Sequence, residues 1–350
     1  ESEEVDLGGV TYNSSAVMPG GWKGQSSATD STSASRPGGS AITRGTDPLD
    51  ETSSSSESGG STRGVSLAGL FAGEFEPCSA PADTMELVEL CCRGGWPGAL
   101  GMDTASAQAV AREYLRLFFT ETAPRAGKDG GVAERAVSSL ARNLGQAATY
   151  RTLVRDMYGE DEDPSTFVAQ ETAASYLALL RSSYLVEEVP GWVPQARSRK
   201  RLATKPKRYL ADPSLAAAQL GMGPGALLRD WQTFGLVFEN LCMRDLAVYA
   251  GALPGAGFEP VRYYRDDSGL EADAIVELAD GRWAAFEFKV GEDKVEAAEE
   301  SLLRLRRKLC ENPRARVREP EFLAVVTGVS RYARQTPKGV YVLPVRCLTA

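Results

Sequence analysis

Asp267-Ser268-Gly269-Leu270-Glu271-Ala272-Asp273-Ala274-Ile275-Val276-Glu277-Leu278-Ala279-Asp280-Gly281-Arg282-Trp283-Ala284-Ala285-Phe286-Glu287-Phe288-Lys289-Val290 is the stretch that decides the fold. Asp267-Ser268-Gly269 and Asp280-Gly281 are turn signals, because Asp and Gly tolerate the backbone angles that tight hairpins require. The runs they bound, Leu270 to Leu278 and Arg282 to Val290, are rich in strand-forming residues. Side chains alternate across a strand. Alternation predicts Ala272, Ala274, Val276 and Leu278 on one face of the first strand, with Glu271, Asp273 and Ile275 on the other. In the second strand it sets Ala284, Phe286, Phe288 and Val290 opposite Glu287 and Lys289.

Working outward, Leu228 to Tyr249 has the apolar spacing of a long helix, through Phe234, Val237, Phe238, Leu241 and Leu246. Pro260 to Arg265 reads as a strand. Glu292 to Cys310 reads as a charged amphipathic helix, and Phe322 to Thr327 and Val340 to Val345 as closing strands. The order of helix, three strands, helix, two strands predicts an α/β core with a mixed sheet over residues 213–350, in a chain that is α+β overall.

That register carries chemistry. Glu287 and Lys289 stand side by side, and Asp273 faces them from the neighbouring strand. Two carboxylates and an amine so placed suit metal-assisted phosphodiester cleavage. Asp273 and Glu287 would hold Mg²⁺. Lys289 would orient the attacking water and stabilise developing negative charge, and Glu239 on the preceding helix would complete the shell. Taken alone, Phe286-Glu287-Phe288-Lys289 reads as surface charge on a hairpin; the upstream Asp273 and Glu239 strengthen the catalytic reading. Trp192, Trp231 and Trp283 are expected to be packing residues.

Upstream, Thr84 is expected to cap a helix that Gly94-Gly95-Trp96-Pro97 ends. A second helix should bury Ala109, Tyr114, Leu115, Leu117 and Phe118, and residues 65–130 read as a helical segment. Residues 131–212 read as three helices, Val132 to Asn143, Thr149 to Met157 and one starting at Pro164-Ser165-Thr166. A strand pair follows, Tyr184 to Val189 with Arg208 to Asp212. That order is the order of a winged helix-turn-helix module. Its wing loop is basic, with Arg197, Arg199, Lys200, Arg201, Lys205, Lys207 and Arg208; such a loop either contacts nucleic-acid phosphates or is a solvated loop that binds nothing or only a partner domain. Residues 1–64 are mostly Ser, Thr, Gly and Asp and are expected to be disordered, because they offer too little apolar surface to offset the entropy of ordering.

Composition limits the function classes. The 350-residue chain contains no histidine, which excludes a Ser-His-Asp triad and every His-based zinc site. Its net charge of −8 argues against wholesale coating of nucleic acid, although a local basic patch still acts locally. The six cysteines are scattered, which predicts a reduced, cytoplasmic protein. No apolar run reaches the roughly 18 residues of a membrane span. The chain begins at Glu1 rather than Met and is expected to be a fragment or a processed product.

The chain resembles the C-terminal part of bacterial and archaeal AAA-type ATPases that end in domain of unknown function 4143, in their actinobacterial branch. The resemblance rests on Gly94-Gly95-Trp96-Pro97, on Lys205-Pro206-Lys207-Arg208-Tyr209-Leu210-Ala211-Asp212-Pro213-Ser214-Leu215, and on Phe234-Gly235-Leu236-Val237-Phe238-Glu239. It also rests on Tyr264-Arg265 through Glu271-Ala272-Asp273 and on Ala285-Phe286-Glu287-Phe288-Lys289. It implies an ATPase core, a winged helix and a restriction-endonuclease-like domain of the PD-(D/E)XK type, the last matching Glu239, Asp273, Glu287 and Lys289. The phosphate-binding loop G-x-x-x-x-G-K-[ST] is absent. Residues 1–64 are then expected to be an eroded remnant of the ATPase core. ATP is expected only in an intact family member, and no ATPase activity is expected of this chain alone. Two function classes stay open: a Mg²⁺-dependent nuclease or DNA-binding protein, and a non-catalytic interaction or regulatory module that associates with itself or with a partner protein. A third reading is an inactive truncated remnant of an ATP-binding protein.

Overall fold

A computed structural model describes residues 64–81, 83–158, 168–194, 204–312 and 317–350. The expected disorder of the N-terminal segment up to residue 63, the helix start at Pro164-Ser165-Thr166, and Arg197, Arg199, Lys200 and Arg201 lie outside the described residues.

The element order is β1 (Val65–Ser66), α1 (Leu67–Phe71), α2 (Thr84–Arg93), α3 (Thr104–Leu117), α4 (Gly130–Arg142), α5 (Tyr150–Tyr158), α6 (Gln170–Ser182), β2 (Val186–Val189), β3 (Lys207–Leu210), α7 (Pro213–Gln219), α8 (Pro224–Arg229) and α9 (Trp231–Gly251). After α9 come β4 (Ala256–Arg265), β5 (Glu271–Leu278), β6 (Trp283–Lys289), α10 (Val295–Cys310), β7 (Phe322–Thr327), β8 (Arg334–Gln335), β9 (Tyr341–Pro344) and β10 (Leu348–Thr349). Asp83, not Thr84, caps α2: its carboxylate accepts the Met85 and Glu86 N–H groups. In α3 the buried stripe is Ala107, Gln108, Ala111 and Leu115, while Leu117 is exposed. Leu117 stands two residues, about 200° of helix rotation, from buried Leu115 and so falls on the opposite face.

The main sheet is six-stranded and mixed, in the order β4-β5-β6-β7-β9-β8. The β4-β5-β6 meander is antiparallel, and β6-β7 and β7-β9 are parallel. Gly269 and Gly281 carry the positive φ of the two hairpin turns, +77° and +83°. Helix α10 is the crossover between the parallel strands β6 and β7, as a parallel pair requires. It covers one sheet face, where Leu302 and Leu305 pack with Ile275, Trp283, Ala285 and Val325. On the other face, Phe238 and Leu241 of α9 share a core with Ala274, Val276, Phe286 and Val326.

That second core extends well beyond the sheet. It runs from Val65 through Leu87, Leu115, Val137, Leu180 and Leu210 to Leu348. Val65 closes it by pairing in parallel with Leu348. Helices α4, α5 and α6 are followed by the antiparallel pair β2-β3, with Val186 opposite Leu210. This pair is stitched to the edge of β4, because the Trp192 N–H donates to the Tyr263 carbonyl and the Tyr263 N–H to the Pro190 carbonyl.

Strict alternation fails at one place in β5. Arg262 pairs with Ile275 and Tyr264 with Ala272. One residue of β4, Tyr263, therefore stands against two of β5, Asp273 and Ala274. This is a β-bulge, which reverses the inside-outside phase beyond it. Ala272 joins Ile275 in the core under α10 instead of sharing a face with Ala274. Of the three tryptophans, Trp192 and Trp283 are buried and stack at 5.1 Å. Trp231 is exposed at the start of α9 and only its ring edge meets Phe234. No helix among the described residues is long and apolar enough to cross a membrane.

Phe286 sits centrally in the shared core and is fully buried. Phe286→Ala should lower unfolding free energy by about 3–5 kcal/mol, as measured by urea denaturation, because the large cavity it leaves cannot collapse within a paired strand.

Candidate functional site

The four residues predicted to act together are brought together. Beyond the Ala274–Phe286 pair, β5 leaves its ladder with β6, and the bulge turns the Asp273 carboxylate into the gap. There its Oδ2 accepts the Phe288 N–H at 2.8 Å, replacing a strand-to-strand hydrogen bond by a side-chain one. Asp273 and Glu287 share a hydrogen bond. The Lys289 Nζ lies 2.6 Å from Glu287 Oε2 and 3.3 Å from Asp273 Oδ2. Helix α9 supplies Glu239, whose Oε1 accepts the Tyr209 hydroxyl at 2.6 Å.

One member, Lys207, has a different role in sequence, and two more, Tyr209 and Glu271, carry no catalytic signal there. Lys207 was read as part of a phosphate-facing wing. It is instead 5% exposed, with its Nζ 2.7 Å from Glu271, 3.5 Å from Glu239 and 3.8 Å from Asp273. Arg208 is also turned inward, donating to Glu188 at 2.9 Å and to the Ala148 carbonyl at 2.8 Å, and stacking on Tyr150. A long cationic side chain beside buried carboxylates is drawn to them before it is drawn to solvent. Lys205 is exposed, as expected of a wing residue. Tyr209 and Glu271 complete the cluster; the signal available for Tyr209 was its place two residues from Lys207 on one strand.

The electrostatics divide the acids. Burial pushes the Glu287 carboxyl up to about 8, helped by the neighbouring charge of Asp273 and opposed by Lys289. Burial and Asp273 likewise push Glu239 up to about 7, against Lys207 and the Tyr209 hydroxyl. Asp273 goes the other way. Burial alone would raise it, but Lys289, Lys207 and the Phe288 N–H together hold it below the usual aspartate value. Both lysines are held charged, above the usual lysine range, because the surrounding carboxylates outweigh the cost of burial. The surroundings therefore favour the ionised form of Asp273 and the protonated form of Glu287.

Asp273 and Glu287 bring two hard oxygen donors to one point, the Lys289 ammonium. That donor set fits Mg²⁺, which is commonly held by one or two carboxylates and retains several waters. Among the described residues, no group of three or more Asp, Glu, Cys or His is arranged to hold a metal ion. Glu239 is therefore not placed as a third direct ligand. A cleft of about 490 Å³ opens beside the cluster, lined by the loop Gly145 to Thr149 together with Lys207, Glu239, Arg265, Glu271 and Asp273. Gly145 is needed at its wall. Its φ is +67°, and a Cβ there would meet Glu239 Oε1 at 2.6 Å and the Tyr209 ring at 3.2 Å.

Two domain families match the chain. One, described as Domain of unknown function (DUF8612), covers residues 84–226; the other, Domain of unknown function (DUF4143), covers residues 234–348. The chain is similar to uncharacterized protein Rv2008c of Mycobacterium tuberculosis and uncharacterized protein Mb2031c of Mycobacterium bovis. Each is 28% identical over 228 residues, which are 64% of this chain and 46% of the relative. The chain therefore spans about half the length of these relatives. No solved structure matches it. The cluster straddles the two matched segments, with Lys207 and Tyr209 in the first and Glu239, Glu271, Asp273, Glu287 and Lys289 in the second.

Two outcomes follow from this geometry. Because the folded-state values of Glu287 and Glu239 are raised from 4.5, the folded chain holds protons that the unfolded chain releases. Their contribution to stability is complete below pH 4.5 and is lost as pH rises through about 7 and about 8. Denaturant melts taken across that window should show stability falling with pH, and Glu287→Gln should flatten the fall; an unchanged slope would contradict the assigned proton. Gly145→Ala should cost at least about 1–2 kcal/mol in the same melts, from the left-handed backbone and the displaced Glu239.

Proposed function

We propose that the cluster around Asp273 and Glu287 is a Mg²⁺-dependent site for phosphodiester chemistry on nucleic acid, in a PD-(D/E)XK nuclease-like domain. The observation that carries this reading is the convergence of Asp273, Glu287 and Lys289 at the bulged end of β5, beside an open cleft. Asp273 and Glu287 would hold the ion, with Glu287 giving up its proton. The bound ion would acidify a water and neutralise charge on the phosphate. Lys289, partly exposed and anchored by both acids, would orient that water and offset negative charge that develops on the phosphate oxygens. Glu239, which does not join Asp273 and Glu287 in a three-ligand group, would orient the shell through water. Three helices followed by the β2-β3 pair support a winged-helix reading of residues 131–212, with exposed Lys205 as a phosphate contact and DNA as the partner.

The match to domain of unknown function 4143 and the matched stretch's coverage of only 46% of the relatives support placing the chain as the C-terminal part of an AAA-type ATP-binding protein. ATP binding then belongs to the longer protein.

A second reading, a non-catalytic interaction module, is favoured by one observation: two lysines already neutralise the acids. Incubation of supercoiled plasmid with Mg²⁺ separates the two. Under the nuclease reading the wild type nicks DNA, and Asp273→Ala and Lys289→Ala each slow it by about a hundredfold or more. Equal cleavage by all three proteins, or none by any, would sink that reading and leave the scaffold.

A further inference from the structure

Among the described residues, Lys207 is the charged side chain that reaches the acid cluster from outside the sheet and α9. It is carried by β3, whose backbone belongs to the helical segment: the Gly145 N–H donates to the Arg208 carbonyl, and Gln146 bridges to Arg208. Its Nζ lies within 3.8 Å of carboxylates from two elements, Glu239 of α9 and Glu271 and Asp273 of β5. The Tyr263 ring covers it at 5.5 Å. Two positions along the strand, Tyr209 donates to the same Glu239 oxygen that Lys207 approaches. The ammonium therefore occupies the position of a cation in the cluster, and it is tethered to the hairpin.

We propose that Lys207 is a positioning residue that acts as the resident counter-cation of the site, so that divalent-cation binding and the seating of the β2-β3 hairpin oppose each other. This rests on the site reading above. Asp273 is common to both sets of contacts: Lys289 and Glu287 on one side, Lys207 on the other. A divalent ion at Asp273 brings two positive charges close to a buried ammonium in a poorly screening environment. The like charges repel, and the ion weakens the carboxylates' hold on Lys207. Linkage makes the effect reciprocal: whatever holds the hairpin down lowers cation affinity, and whatever draws the hairpin away raises it by the same factor. The two segments matched by different domain families are thereby coupled through one side chain.

The test uses Mg²⁺ alone, with the full chain. Calorimetric titration of wild type, Lys207→Met and Lys207→Arg should give about tenfold tighter binding for Lys207→Met and wild-type affinity for Lys207→Arg. Amide hydrogen exchange at Lys207–Leu210 should accelerate in wild type at saturating Mg²⁺. In Lys207→Met it should not respond to the ion. A purely structural role for Lys207 predicts weaker binding in Lys207→Met and no ion-dependent exchange in wild type. Mg²⁺ binding to wild type with unchanged exchange at the hairpin overturns the coupling while leaving the site intact, and that arm needs no variant to fold. Absence of Mg²⁺ binding in every protein overturns the site reading itself and the coupling with it.

Discussion

Carboxylates that are out of water and within reach of one another must be answered by protons or by cations from the same chain. Asp273 and Glu287 are buried, Glu239 is half-buried, and Glu271 lies beside them. An unpaired buried charge is among the most costly features a fold can contain. The structure answers with two lysines, a tyrosine hydroxyl, a backbone N–H and a retained proton. The donors come from β3 (Lys207, Tyr209) and β6 (Phe288, Lys289), and the acids from α9, β5 and β6, so the requirement fixes the relative placement of these elements. Gly145 belongs to the same solution, since only a residue without a side chain lets the α4-α5 loop pass over Glu239.

The sheet was readable because its signals are local. Turn residues at Gly269 and Gly281, period-two alternation in β6, and the apolar stripe of α9 depend on neighbours a few positions away. The strand Phe322–Thr327 has the predicted bounds. The bulge at Asp273-Ala274 was not readable, since it is set by Tyr263 on the partner strand and by the Phe288 N–H, and the local pattern of β5 is compatible with plain alternation. The bulge nevertheless improves the predicted meeting of Asp273 with Glu287, by aiming the aspartate into the space between strands instead of along a face. Val65–Ser66 with Leu348–Thr349 is a pairing across nearly the whole described chain, and no window of sequence contains both partners.

Lys207 and Arg208 show the limit of reading charge from composition. In sequence they extend a basic run and look like its continuation. In space they lie on a strand whose four residues are all buried, and each finds carboxylate or carbonyl oxygen there. A cation's role is decided by which anions share its burial, and those anions are up to 66 residues away in the case of Asp273 (273 minus 207). The exposed Lys205, only two positions earlier, keeps the solvent-facing role because it precedes the strand.

Fold alone does not distinguish a catalytic site from a scaffold that inherited its shape. The charge arrangement bears on the question more directly. A scaffold that needs only stability gains little from a buried acid-lysine network, since packed apolar side chains of similar volume serve as well or better. Here the network is kept at a bulge, beside a cleft, with one carboxyl held near neutrality and another held ionised. Two like groups driven to different protonation states by their surroundings are what acid-base and metal chemistry require. The same network also spends its cations internally, with Lys207 and Lys289 both committed to the acids. A site of this kind is quiet until something competes for those carboxylates. Under the proposed reading that competitor is a small divalent cation, matched to hard carboxylate oxygens, and its binding would weaken the hold of those carboxylates on the lysine that ties the hairpin down.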